Sequence, residues 1–96
     1  MTAPTIQAPH TAFDLPVYRP AVALVETRWF ALLHTADSVR EVTAGQRARL
    51  AAAGWEITPI YEGVTTSTLL ADKDGRTVAV NANATGAGSS LSISVW

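Results

Sequence analysis

Cysteine is absent from this chain of 96 residues, so no disulfide staples it and no thiol can act as nucleophile or metal ligand. Lysine is almost absent: Lys73 stands alone against six arginines. Net charge is only -1 and the pI about 6.0, so no strongly basic patch marks a nucleic-acid binder or a polybasic membrane-surface protein. Long apolar runs are missing too. The best candidate, Ala21 to Leu33, is broken by Glu26 and Arg28, well short of the ~18 residues that a spanning helix needs. The first twenty residues have neither a basic start nor an apolar stretch, so no secretory signal is read there. These absences lead to the expectation of a soluble, cytoplasmic protein. The Arg-over-Lys bias, with abundant Ala, Val and Thr, suits a GC-rich bacterial or phage genome.

What is present is enough for one modest core. The hydrophobic fraction is 48% and the charged fraction 16%, a balance that suits folding rather than disorder. Residues 1–20 carry four of the five prolines, Pro4, Pro9, Pro16 and Pro20, and read as an extended arm. Within it "FDLPVY" gathers Phe13, Leu15, Val17 and Tyr18, which either pack back on the domain or dock a partner. Residues 21–96 read as a single domain. In 21–36 the spacing of Val22, Val25, Trp29, Leu32 and Ala36 predicts a helix, with a strand pair bending at "VETR" as the alternative. A second helix is expected over Ala44–Ala53, with Thr43 and Gln46 as its capping box and Gly54 closing it.

From Trp55 the period changes to two. "WEITPIYEG" is a strand with Trp55, Ile57 and Tyr61 on one face and Pro59 marking an edge or bulge. "VTTSTLLA", "RTVAVNANA" and "LSISVW" follow as strands, separated by "DKDG" and "TGAGSS" turns. The expected fold is α+β: two helices packed on one face of a four-stranded antiparallel meander sheet, a two-layer sandwich. The other face would be rich in Thr, Ser and Asn.

The motifs that carry chemistry are few. "TGAGSS" lacks the helix and the Lys-Ser/Thr pair of a phosphate loop and reads as a hairpin turn. "DKDG" lacks the later ligands of a calcium loop. No metal-ligand spacing involves His10 or His34, so neither metal nor cofactor is expected. His34 with Asp37 is the one pair that would serve a small hydrolase or isomerase, without a nucleophile or oxyanion hole in sight. Glu56 and Glu62 would share a face as an acid/base pair only if Pro59 leaves the register intact. Arg40, Arg47 and Arg49 cluster around the second helix, diluted by Asp37 and Glu41.

The order helix, "LAAAGW", strand, strand, "DG" turn and strand, over Ala44 to Asn83, resembles the layout of HicA-type toxins, small double-stranded-RNA-binding-like domains. The resemblance implies a nucleic-acid-associated regulator. That family's Gly-Ser-His segment, which carries its catalytic histidine, corresponds here to "EGVTTST", so the resemblance implies a chain without the RNase activity.

Trp96 stands out. By alternation it shares the polar face with Ser92 and Ser94, at what reads as an exposed sheet edge, and Trp is a residue type enriched where partners dock. The reading that follows is a small non-enzymatic interaction module, an accessory, adaptor or inhibitor. It would bind another protein or a second copy of itself through Trp96, Ser94, Ser92, Asn81 and Asn83, with Phe13 and Tyr18 of the arm as a second contact.

Overall fold

The computed structural model describes residues 13–96. Six strands, β1 (Val22–Glu26), β2 (Phe30–Thr35), β3 (Glu56–Glu62), β4 (Thr66–Lys73), β5 (Arg76–Thr85) and β6 (Gly88–Val95), form one antiparallel sheet. Their spatial order is β1-β2-β6-β5-β4-β3. The one helix among the described residues, α1 (Val39–Ala52), links β2 to β3 and packs on one face. The expected pair of helices on a four-stranded sheet is thereby corrected to one helix and six strands, a mostly β architecture. The meander β3-β4-β5-β6 is there, but β6 does not lie at an edge. It runs between β5 and β2, so the reading of the C-terminal strand as an open edge is also corrected.

The correction at residues 21–36 has a local cause. The β1–β2 register slips between Ala23 and Val25, so that Val22 faces His34 and Val25 faces Leu32. A bulge at Leu24 thus puts two residues three apart on one face, which imitates helical spacing. Helix burial would have hidden Val22, Val25 and Trp29, yet they are 65%, 45% and 53% exposed. The bend falls at Thr27–Trp29. There the Thr27 hydroxyl accepts from the amides of Trp29 (3.2 Å) and Phe30 (3.1 Å), a side chain standing in for a turn's backbone carbonyl. Strand β2 itself alternates cleanly, with Ala31, Leu33 and Thr35 buried.

Helix α1 starts earlier than expected. Ser38, not Thr43, is the N-cap, and the Glu41 amide and carboxylate complete the capping box with it. Thr43 and Gln46 lie inside the helix and are buried. The C-terminus closes as a Schellman turn: Gly54 takes φ +94, its amide reaches the Ala51 carbonyl, and the Trp55 amide reaches Leu50 (both 3.0 Å). Lys73 Nζ donates to the Ala53 carbonyl at 2.6 Å, a cation at the negative helix end.

The arm from Phe13 to Pro20 is part of the core. Phe13 and Tyr18 are each only 8% exposed and join Leu50, Trp55, Leu91 and Ile93 in one apolar cluster. Gln46, fully buried, clasps the arm with both ends of its carboxamide: Oε1 accepts from the Tyr18 amide (2.7 Å) and Nε2 donates to the Pro16 carbonyl (2.8 Å). The Tyr18 ring lies on Gly45, under the Arg49 guanidinium at 5.3 Å, and its hydroxyl donates to Asp37. At the other end of the arm Thr35 Oγ1 donates to the Pro20 carbonyl at 2.7 Å. Close backbone approach occurs at Gly88 as well (φ +146), where any Cβ would overlap the Thr35 carbonyl.

Two outcomes follow for the arm. In an open helix interior, Gly→Ala stabilises by about 1 kcal/mol. Here the new Cβ of Gly45→Ala would overlap the Tyr18 ring, so Gly45→Ala lowers the melting temperature, by roughly 5–15 °C for about 1–3 kcal/mol of overpacking, as a thermal melt will show. The hydrogen bond to Asp37, then burial, push the Tyr18 phenol from its ordinary 10 up to about 12. The folded value lies above the unfolded one, so this contribution to stability is complete below pH 10 and is lost as pH rises through about 12. Phenolate absorbance will show a tyrosine ionising near pH 12 that is missing from Tyr18→Phe.

Candidate interaction surface

The helix and arm lie on one side of the sheet. Antiparallel partners share a face, so the registers place lines of side chains across the other, open side. One line runs Tyr61, Thr68, Asn81, Ser92, Leu32, Val25 from β3 to β1. A second runs Thr66, Asn83, Ser90, His34, Val22. On the other flank of the first lies Thr58, Leu70, Ala79, Ser94, Phe30. At the end of the sheet Glu56, Asp72 and Thr77 line up with Trp96, which exchanges backbone hydrogen bonds with Thr77 at 2.8 and 2.9 Å.

Asn81, Asn83, Ser92, Ser94 and Trp96, singled out from the sequence, therefore all fall on this face. Trp96 is 65% exposed; Ser92, Ser94 and Asn81 are half-buried among small neighbours. Thr68 donates to Asn81 Oδ1 and Thr66 to Asn83 Oδ1, both at 2.8 Å. These bonds fix the amide orientation and leave each Asn nitrogen without an acceptor among the described residues. Phe13 and Tyr18 are elsewhere, buried on the helix side. The sequence reading missed Val22, Val25, Phe30, Leu32 and Tyr61, which supply the apolar part of the face. The period-two pattern of "FALLHT" was the signal for the β2 members. Tyr61 escaped because the β3–β4 register slips between Pro59 and Tyr61, turning it away from Ile57 and onto the open side.

The same slip separates the two glutamates. Glu56 pairs across from Asp72 on the open face, while Glu62 faces Ser67 and reaches the Arg47 guanidinium on the helix side at 2.9 Å. His34 sits on the open face beside Ser90, whereas Asp37 accepts the Tyr18 hydroxyl, and no ion pair joins them among the described residues. His10 lies outside the described residues. Among those described, no group of three His, Asp or Glu is placed to hold a metal, and no helix is long and apolar enough to cross a membrane.

Electrostatically the two sides differ. The charged residues in the open-face lines are Glu56 and Asp72, and no Lys or Arg stands there. Arg40, Arg47 and Arg49 belong to α1, and Arg76 lies over the Trp55 ring at 5.9 Å. The "TGAGSS" segment makes a turn at Gly86-Ala87 between β5 and β6, and "DKDG" one at Asp74-Gly75 between β4 and β5. Ala44 to Asn83, the stretch that resembles HicA-type toxins, contributes part of α1 with β3, β4 and most of β5 to the larger six-stranded sheet. No protein-family model, no curated protein and no solved structure matches the chain.

Proposed function

We propose that this chain is a small non-enzymatic interaction module that docks another protein, or a second copy of itself, on the open face of its sheet. The observation that carries the proposal is the composition of that face. Its centre, around Ala79, Asn81, Ser92 and Ser94, is small and uncharged, and exposed apolar side chains flank it: Trp96, Tyr61, Val22 and Val25. Depletion of charge with aromatics retained is the pattern of the buried part of protein interfaces. Small central residues leave room for a partner's side chains to settle between the flanking ones.

Size supports the reading. Six strands spaced about 4.8 Å apart, each about seven residues long, give a face of roughly 600 Å². A stable interface needs about 800 Å² per partner, within reach once the rim contributes. The absence of Lys and Arg from its lines of side chains favours a protein over nucleic acid, whose phosphates demand cations.

The test is capture by the immobilised full chain, compared with Ser92→Arg and Trp96→Ala. Both changes are on the open face and away from the core. We expect a protein, or the chain itself, to be retained in moderate salt by the wild type and lost from both variants. Capture of nucleic acid alone, washed off by salt and indifferent to both substitutions, would contradict the proposal.

A further inference from the structure

On the helix side, a cleft of about 320 Å³ opens between α1 and the turn that joins β3 to β4. Arg40, Thr43, Ala44 and Arg47 line one wall, at the i, i+3, i+4, i+7 spacing of a single helix face. Glu62 and Ser67 line the other. We propose that this cleft binds a small oxyanion, the carboxylate or phosphate group of a low-molecular-weight ligand, held between the guanidinium groups of Arg40 and Arg47.

Three observations support this. The charges do not balance: two guanidinium groups face one carboxylate. Glu62 engages Arg47, and Arg40 has neither an ion pair nor a hydrogen bond among the described residues. The Glu62–Arg47 pair is half-exposed at both ends, so it is weak and an incoming anion can compete for Arg47. Thr43, at the base of the cleft, is more than nine-tenths buried, and its Oγ1, itself shielded from solvent, has no hydrogen-bond partner among the described residues. Ala44 and Gly63 keep the cleft free of bulk. Its volume is at the lower end of what small-ligand sites occupy, about 300–1,000 Å³, and suits a compact ligand. Arginine is the side chain best matched to carboxylate and phosphate, because its planar fork donates two parallel hydrogen bonds.

The role assigned to Glu62 gives the proposal its sharpest test. A purely structural Arg47–Glu62 pair would have no bearing on anions. In a binding cleft Glu62 is the competitor, and its removal strengthens binding. The experiment is a titration of the full chain, followed by backbone amide shifts, with inorganic phosphate and separately with succinate, at constant ionic strength set by chloride. We expect saturating shifts at Arg40, Thr43, Ala44, Gly63 and Ser67 with at least one of the two. Arg40→Gln should weaken that binding at least about fivefold and Glu62→Gln tighten it about threefold or more, in line with charge-assisted hydrogen bonds. Which anion saturates identifies the group as phosphate or carboxylate. Non-saturating shifts with both anions, indifference to Arg40→Gln, or weaker binding in Glu62→Gln would each overturn the proposal. Arg40 and Glu62 are surface residues, and the dispersion of the same spectra reports whether each variant is folded.

Discussion

The buried carboxamide of Gln46 is the interaction on which the rest of the molecule depends. A sheet of six strands is about 24 Å wide, and a helix with its side chains covers about 10 Å of it. Helix α1 packs on β3, β4, β5 and β6 and does not reach β1 or β2. Yet Ala31, Leu33 and Thr35 of β2 are buried. The arm joins the same apolar cluster as Ala31 and Leu33, and its Pro20 carbonyl meets Thr35, but it has no regular hydrogen-bonding partner of its own. Gln46 supplies one, an acceptor for the Tyr18 amide and a donor for the Pro16 carbonyl, and so makes an irregular segment a lasting part of the second layer. Prolines suit such a segment, because they reduce the number of backbone donors that must be satisfied.

That arrangement also explains what could be read from the sequence and what could not. The three C-terminal strands, the Asp74-Gly75 and Gly86-Ala87 turns and the Gly54 helix end rest on local patterns, alternation and glycine placement, and all are found close to where those patterns put them. The β1–β2 hairpin, read only as the alternative to a helix over 21–36, was masked by a single bulged residue, Leu24, which converts a spacing of two into a spacing of three. The capping box was placed at Thr43 and Gln46, whereas the structure has it at Ser38 and Glu41, a pair that fits the same sequence pattern. Gln46 instead faces the arm from inside the helix. The place of β6 inside the sheet depends on a long-range pairing with β2 that no local pattern encodes. The polar members of the open face, Asn81, Asn83, Ser92 and Ser94, were legible from alternation. Trp96 was legible in the same way, but Val22, Val25 and Tyr61 were not, because they come from the two outer strands, whose registers slip, and Phe30 and Leu32 were missed with the helix expected over 21–36.

The two sides of the sheet divide the surface chemistry. Covering one side consumed the arm's aromatics, so Phe13 and Tyr18 serve the core. The open side kept Trp96 and the apolar rim and carries no cation in its lines of side chains. Arginine is concentrated in α1, where Arg49 closes over Tyr18 and Arg40 and Arg47 edge the cleft. The proposed docking face, without Lys or Arg in its lines of side chains, and the proposed anion cleft lie on opposite sides and share no residue, so one would not block the other.

The central claim is that the arm is an integral layer of the fold. Native-state hydrogen exchange at the Tyr18 amide tests it most directly, because that proton is protected only while Gln46 holds the arm. Protection equal to that of Leu91 and Ile93 in the central strand, lost only on global unfolding, is the predicted result. Exchange near the rate of an unstructured peptide, with Leu91 and Ile93 still protected, would mean that the arm detaches on its own and would contradict the claim.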